Sequence, residues 1–252
     1  MKHTFLNHEK PLLTCMVQAT TPQRIKELID TSLPEGAEAF GMQFCRLEQE
    51  YRTKDTYKVL FAYAARPTYV TNYRRHGANK EKSDDELAAE LLELAECGAT
   101  LCDVMGDFFA PCEGELTVEE AAIEKQMRLI DALHARGAEV LMSSHVLKFT
   151  PAERVLEIAL EQQRRGADIS KIVTGAEDMA QQIENLRIIH LLKENLKIPF
   201  LFLTGGECHV SRRLGATLGN CMSLCVHEHD ELATPSQPLL REMRELRELL
   251  GG

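Results

Sequence analysis

The sequence predicts a closed (β/α)8 barrel, with residues 1–252 forming a single domain. Three observations lead there. Short apolar runs recur along the whole chain, helical patterns with clear starts lie between most of them, and no Asn-Gly type hairpin turn joins any two. The runs read as strands at PLLTCMV (11–17), AEAFGMQF (37–44), PTYVTNY (67–73), TLCDVM (100–105), EVLMSS (139–144), SKIVT (170–174), PFLFLT (199–204) and CMSLCV (221–226). Strands alternating with helices imply crossover connections and a parallel sheet. Eight such units suit a barrel of this length. A doubly wound open sheet is the alternative. No glycine-rich nucleotide loop follows the first strand, where Thr14 to Thr21 reads TCMVQATT.

The helix starts are read from caps. Ser83-Asp84-Asp85-Glu86 has the pattern of a capping box, in which a hydroxyl and a carboxylate satisfy orphan N–H groups. Thr117-Val118-Glu119-Glu120 and Thr150-Pro151-Ala152-Glu153 repeat it, and Thr234-Pro235-Ser236-Gln237 is a fourth, with proline at the favoured first helical position. Gly98, Gly137 and Gly166 stand where helices should stop.

Composition narrows the function. With 44% hydrophobic residues the chain can bury a full core. A net charge of -10 argues against a nucleic-acid surface, which needs a basic stripe. No run of about 18 apolar residues is present, so no membrane span is expected. The N-terminal MKHTFLNHEKP lacks the apolar stretch of a signal peptide, and the eight cysteines are scattered. A cytoplasmic chain with reduced thiols is the expectation.

A barrel carries its chemistry at the C-terminal ends of its strands. His145 falls there, just after the fifth strand. Lys171 lies inside the sixth, in GADISKIVTG. A lysine lining a barrel would have its pKa lowered by desolvation and could attack a carbonyl to form a Schiff base. The plainer reading is a lysine pointing outward between helices. A histidine ending one strand and a lysine in the next can converge on one small molecule, with the histidine moving protons near neutral pH. After the seventh strand, TGGECHVSRRLGATLGN carries Arg212 beside Arg213, and arginine grips carboxylate or phosphate with two prongs. Gln237 follows the eighth strand and either faces the mouth or caps the last helix.

Together these segments resemble the type I 3-dehydroquinate dehydratase family. The resemblance rests on Met142-Ser143-Ser144-His145 with Thr150-Pro151, on Gly166 to Ile172 (GADISKI), on Ser211-Arg212 with Leu214-Gly215, and on Ala233-Thr234-Pro235-Ser236-Gln237. It implies a (β/α)8 barrel, a homodimer, and no metal or organic cofactor. It further implies that Lys171 forms an imine with the ketone of 3-dehydroquinate and that His145 removes a proton beside the imine, then protonates the departing hydroxyl. Arg212 and Gln237 would bind the substrate carboxylate, and the product would be 3-dehydroshikimate.

Some positions depart from the family pattern. Its second strand carries Glu-x-Arg-x-Asp; here the matching register is Phe44-Cys45-Arg46-Leu47-Glu48, which keeps Arg46 and Glu48 on one face and leaves Gln43 on the other unless a bulge turns it inward. Its third strand leads to an arginine, matched by Arg74, and then to Glu-Gly-Gly, whose carboxylate orients the histidine. No carboxylate stands there: Glu81 comes late, and His76 or Asp107 are the stand-ins. Ala233 replaces a serine. Three alternatives follow: a related Schiff-base lyase acting on another hydroxylated keto acid, a catalytically weak homologue, and a ligand sensor that retains Lys171. NCMSLCVHEHDE (220–231) offers a rival of another class. Its Cys221, Cys225, His227, Glu228 and His229, with Cys208 and His209 nearby, are residue types that bind zinc.

Overall fold

The computed structural model describes residues 3–74, 76–207 and 210–251. Eight strands alternate with eight helices. In chain order they are β1 (Leu12–Val17), α1 (Pro22–Glu35), β2 (Ala39–Gln43), α2 (Lys54–Ala64), β3 (Thr68–Thr71), α3 (Asp84–Cys97), β4 (Leu101–Met105) and α4 (Glu120–Ala135). Then come β5 (Glu139–His145), α5 (Ala152–Arg164), β6 (Ile169–Gly175), α6 (Met179–Asn195), β7 (Phe200–Gly205), α7 (Val210–Leu218), β8 (Met222–Cys225) and α8 (Leu240–Leu249). All strand pairs are parallel, in the order β7-β6-β5-β4-β3-β2-β1-β8. The eight expected strands are all present, and the architecture is the (β/α)8 barrel.

Strand side chains alternate between two faces, so each strand sends one set inward and one set outward. The inward set makes the barrel interior: Leu12 and Met16, Tyr69, Leu101, Leu141, Ile169 and Val173, Leu201 and Leu203, Met222 and Leu224. Phe5 closes this cluster from the N-terminal segment. The outward set, including Phe40, Val70, Cys102 and Val140, packs against the helical layer. Gly41 is on the inward face because a Cβ there would lie 2.2 Å from Met16 Sδ and 3.2 Å from the Tyr69 ring. The missing side chain thus makes room for two large ones in a narrow interior.

The seam between β7 and β8 is closed by a side chain. The Asn220 amide accepts from Phe202 N at 2.9 Å and donates to Phe202 O at 2.9 Å, while Cys221 N donates to Phe200 O at 2.9 Å. Gly215 on α7 permits this. A Cβ there would come within 2.4 Å of Asn220 Nδ2.

The expected helix starts fare unequally. Ser83 and Glu86 form the full capping box of α3. Gly98, Gly137 and Gly166 all take the left-handed conformation that ends a helix. Thr117, however, lies before α4, its hydroxyl accepting from Glu119 N at 3.2 Å. At the start of α5 the Thr150 hydroxyl donates back to Lys148 O, leaving Pro151 at the cap. Thr234-Pro235-Ser236-Gln237 starts no helix: it is a turn closed by Gln237 N to Thr234 O at 3.0 Å, and α8 begins at Leu240. The expected helix start is replaced by a turn, which brings Thr234, Ser236 and Gln237 to the cavity at the barrel mouth.

Replacing Asn220 by alanine removes one donor and one acceptor from buried backbone groups. Asn220→Ala should cost about 2–4 kcal/mol and lower the thermal midpoint by several degrees. Gly215→Ala acts through the same amide, so the double variant should lose less than the sum of the two singles in a denaturation cycle.

Candidate active site

Lys171 is the central inward residue of β6, and it is 4% exposed. Its Nζ lies 2.9 Å from Tyr69 Oη, 2.6 Å from Tyr73 Oη and 3.2 Å from Asp103 Oδ2. Asp103 comes from the matching inward position of β4 and is 2% exposed. It accepts from Ser143 Oγ at 2.5 Å, from Tyr73 Oη at 2.6 Å and from Tyr69 Oη. Burial alone would raise the Asp103 carboxyl. The Lys171 ammonium, with His145, Ser143 and Tyr69, outweighs burial and holds it below the ordinary carboxylate value. Both phenols are pushed well above theirs, by burial first and by Asp103 second. They are therefore donors to the carboxylate. The lysine points inward, as expected, and a buried carboxylate partner that was not expected offsets the cost of burying its charge.

His145 ends β5 one strand away. Its Nδ1 lies 2.7 Å from Glu115 Oε2, and its backbone N donates to the same oxygen at 3.0 Å. A carboxylate only accepts, so Nδ1 donates to Glu115, and Nε2 is the ring nitrogen left for proton transfer. Glu115 stands in the loop after β4, at φ 48°, and Leu147 beyond the histidine stands at φ 62°. Non-glycine residues in this region are strained and tend to mark functional sites. The loop is firmly held. Ser144 Oγ donates to Glu115 O at 2.7 Å, and Arg165, 2% exposed, reaches Gly106 O, Thr117 O and the Gln126 side chain. Gln126 in turn donates to Gly106 O and Phe108 O, both at 2.9 Å.

The histidine's partner is thus neither of the two stand-ins read from the sequence, nor the late Glu81. Glu81 is exposed. Asp107 pairs with Arg74, 3.2 Å away. The His76 ring lies 6.4 Å from the Tyr73 ring. Glu115 comes from the loop after the fourth strand, not the third. The only sequence signal was the Glu-Gly-Glu turn after the fourth.

Lys171 and His145 line one cavity of about 440 Å³ at the C-terminal ends of the strands, together with Gln43, Arg46, Thr71, Tyr73, Arg74, Glu115, Arg212 and Gln237. That size suits a small molecule. Arg212 is 8% exposed and donates through Nε to Thr204 O, with no carboxylate partner among the described residues. Burial pushes it down to about 10, so it stays charged at neutral pH. Arg46 likewise has no salt bridge among the described residues, and its Nε is buried without a partner. Gln237, 5% exposed, stands 3.4 Å from Gln18 Nε2. Arg74 also lines the cavity, but its guanidinium is forked over Asp84 at 2.7 and 2.8 Å.

The expected register after β2 is one residue off. The strand ends at Gln43, and Phe44–Arg46 is a turn of 3-10 helix. Phe44 is buried against Tyr57 and Phe61 with ring centroids at 5.1 and 5.7 Å. Gln43, expected on the far face, lines the cavity with Arg46. Glu48 is exposed and does not join them. A turn breaks the two-residue alternation on which the expectation rested.

The zinc-type cluster is dispersed. Cys225 is buried, His227 Nδ1 pairs with Glu35 at 2.8 Å, His229 Nε2 meets Gln237 O at 2.8 Å, and Glu228 pairs with Arg24. Among the described residues no group of three or more His, Cys, Asp or Glu side chains could hold a metal ion. Cys208 and His209 lie outside the described residues.

Comparison with known proteins places this chain in a family. Two curated relatives, the 3-dehydroquinate dehydratases of Syntrophotalea carbinolica and Klebsiella pneumoniae, are each 28% identical over 181 residues. Those matches cover 70% and 71% of this chain, and 66% of the relative's length in both cases. The crystal structure of 3-dehydroquinate dehydratase from Geobacillus kaustophilus superposes with a TM-score of 0.81 at 14% identity, covering 96% of this chain and 92% of that one. The type I 3-dehydroquinate dehydratase of Clostridium difficile gives 0.80 at 15%, covering 99% and 98%. These structural likenesses show the barrel fold. The family model described as type I 3-dehydroquinase matches residues 16–252, and the chain belongs to that family.

Proposed function

We propose that the chain is a carbon–oxygen lyase that converts 3-dehydroquinate to 3-dehydroshikimate through an imine on Lys171. The observation that carries this reading is the meeting, in one cavity, of a buried amine with a carboxylate-held imidazole. The Lys171 ammonium gives up two protons as its nitrogen displaces the ketone oxygen as water, leaving a cationic imine whose hydrolysis at the end releases the product. That cation draws electrons from the adjacent carbon, whose proton His145 Nε2 takes. The protonated imidazole then gives its proton to the departing hydroxyl, so one group serves both transfers. Glu115 fixes the tautomer this requires. Arg212, a buried cation without a carboxylate partner among the described residues, would take the substrate carboxylate, with Gln237 and Arg46 beside it. Arg74 is a scaffold for Asp84 and Asp107 more than a substrate ligand. The electron sink is the imine itself, so the reaction invokes no metal or organic cofactor. No helix among the described residues is long and apolar enough to cross a membrane. A homodimer in the cytoplasm completes the proposal, on the family likeness alone.

A related Schiff-base lyase acting on a less hydroxylated keto acid is the second reading. Met16, Val173, Leu203 and Leu224 supply much of the cavity wall, and Gln43 stands where the family pattern leads one to expect a carboxylate.

Enone formation from 3-dehydroquinate, followed in the ultraviolet, tests the first reading. Lys171→Ala should abolish turnover, whereas His145→Ala should slow it by about 10²-fold or more. Wild-type protein that stays silent at high enzyme concentration would remove this substrate and favour the second reading.

Two further variants separate positioning from binding. Glu115→Gln should lower kcat by roughly 10- to 100-fold with little change in KM, as expected for a group that acts through the histidine. Arg212→Ala should instead raise KM by roughly 10- to 100-fold through loss of a charged hydrogen bond.

A further inference from the structure

Tyr73 has no role in the scheme above, yet it is the best placed hydroxyl in the site. It lies two residues beyond β3, on the same inward face as Tyr69 and Thr71. Its backbone is pinned from outside, where Asn79 Nδ2 donates to Tyr73 O at 3.0 Å and Arg52 bridges Asn79 and Asn72. Its Oη is 2.6 Å from Lys171 Nζ and 2.6 Å from Asp103 Oδ2. Its ring meets the His145 ring edge-on, with centroids 5.1 Å apart. Tyr69 and Asp103 touch the same amine, but Tyr73 lines the cavity and they do not.

The proton balance of imine formation says what such a hydroxyl can do. The lysine begins as an ammonium with three N–H bonds and ends as an iminium with one. The carbonyl oxygen leaves as water, which carries the other two protons. Both protons therefore travel from nitrogen to oxygen, with no net gain or loss. We propose that Tyr73 is a catalytic residue that relays these protons, giving its own to the substrate oxygen as it takes one from the Lys171 nitrogen, and running in reverse when the imine is hydrolysed. The phenol is unchanged at the end of each pass. Asp103 stays ionised throughout and holds the positive charge, first on the ammonium and then on the iminium. His145 is left to the proton on carbon. Burial keeps the resting phenol protonated.

This inference rests on the Schiff-base reading, and one experiment separates the two. Wild-type, Tyr73→Phe and Tyr69→Phe proteins are mixed with 3-dehydroquinate, quenched with borohydride at short intervals, and the adduct on Lys171 is quantified by mass. The Tyr73→Phe adduct should build about 10²-fold more slowly or worse. Its turnover should also lose the isotope effect from deuterium at the carbon His145 deprotonates, because imine formation becomes limiting. Tyr69→Phe loses a hydroxyl to the same two groups away from the cavity, so it should slow adduct formation less and keep the isotope effect. Thermal melts confirm that both variants are folded. Adduct formation at the wild-type rate in Tyr73→Phe, or equal slowing in both variants, overturns the relay. No adduct in the wild type instead overturns the Schiff-base reading, and the relay with it.

Discussion

One ion pair in the middle of the barrel, Lys171 with Asp103, constrains everything around it. Two charges are held almost entirely out of water, 3.2 Å apart. Such a pair is poor evidence for stability, since well-packed apolar residues of similar volume often serve as well or better. Here each remaining polar valence is also met: Asp103 takes hydrogen bonds from Ser143, Tyr69 and Tyr73 in addition to the ammonium. A polar network of this completeness, in an interior otherwise lined by residues such as Leu101, Leu141, Leu201 and Leu203, argues for chemistry. It gives an amine a fixed place, and it would give a cation formed on that amine a fixed counter-charge.

The histidine is held differently. His145 is at the rim, and its partner is a loop residue held in place by its surroundings. The ties run outward from Glu115 through Ser144 to the β5 backbone, and from Gly106 and Thr117 to the buried Arg165 on the far side of the loop. Gly106 fits there because a Cβ would lie 2.4 Å from Glu115 O. A carboxylate expected from the loop after β3 is thus supplied from the loop after β4. The barrel makes this exchange easy, because neighbouring strands deliver their loops to the same rim and the histidine needs only an acceptor at Nδ1.

The strands were legible because each is an apolar run with a helix pattern on either side, and the (β/α)8 count follows from them. Lys171 and His145 were legible because a lysine inside an apolar strand and a histidine at the end of the one before it are both unusual and share a rim. Glu115 was not, being 30 positions from its partner in an irregular loop where side-chain alternation gives no direction. The same limit misplaced Phe44. Alternation holds to Gln43, then the backbone tightens into a 3-10 turn and the phases of the two faces are lost. Asp103 was hidden for the opposite reason: TLCDVM reads as an ordinary buried strand, and only closure of the barrel shows that its carboxylate meets Lys171.

The charge left over at the mouth follows from these pairings. Arg74 is neutralised by Asp84 and Asp107, and Lys171 by Asp103. Arg46 and Arg212 have no salt bridge among the described residues, although the chain as a whole carries a net charge of -10. Burying a guanidinium without an anion is costly, and Arg212 shows the strain in its lowered pKa of about 10. A cavity with apolar walls and water partly excluded concentrates the field of such charges toward its opening. An acidic protein that keeps uncompensated arginines at the rim of one cavity is set up to draw in a small anion. It would hold that anion with its carboxylate toward Arg212, which leaves the amine and the imidazole free to work on the rest of the molecule.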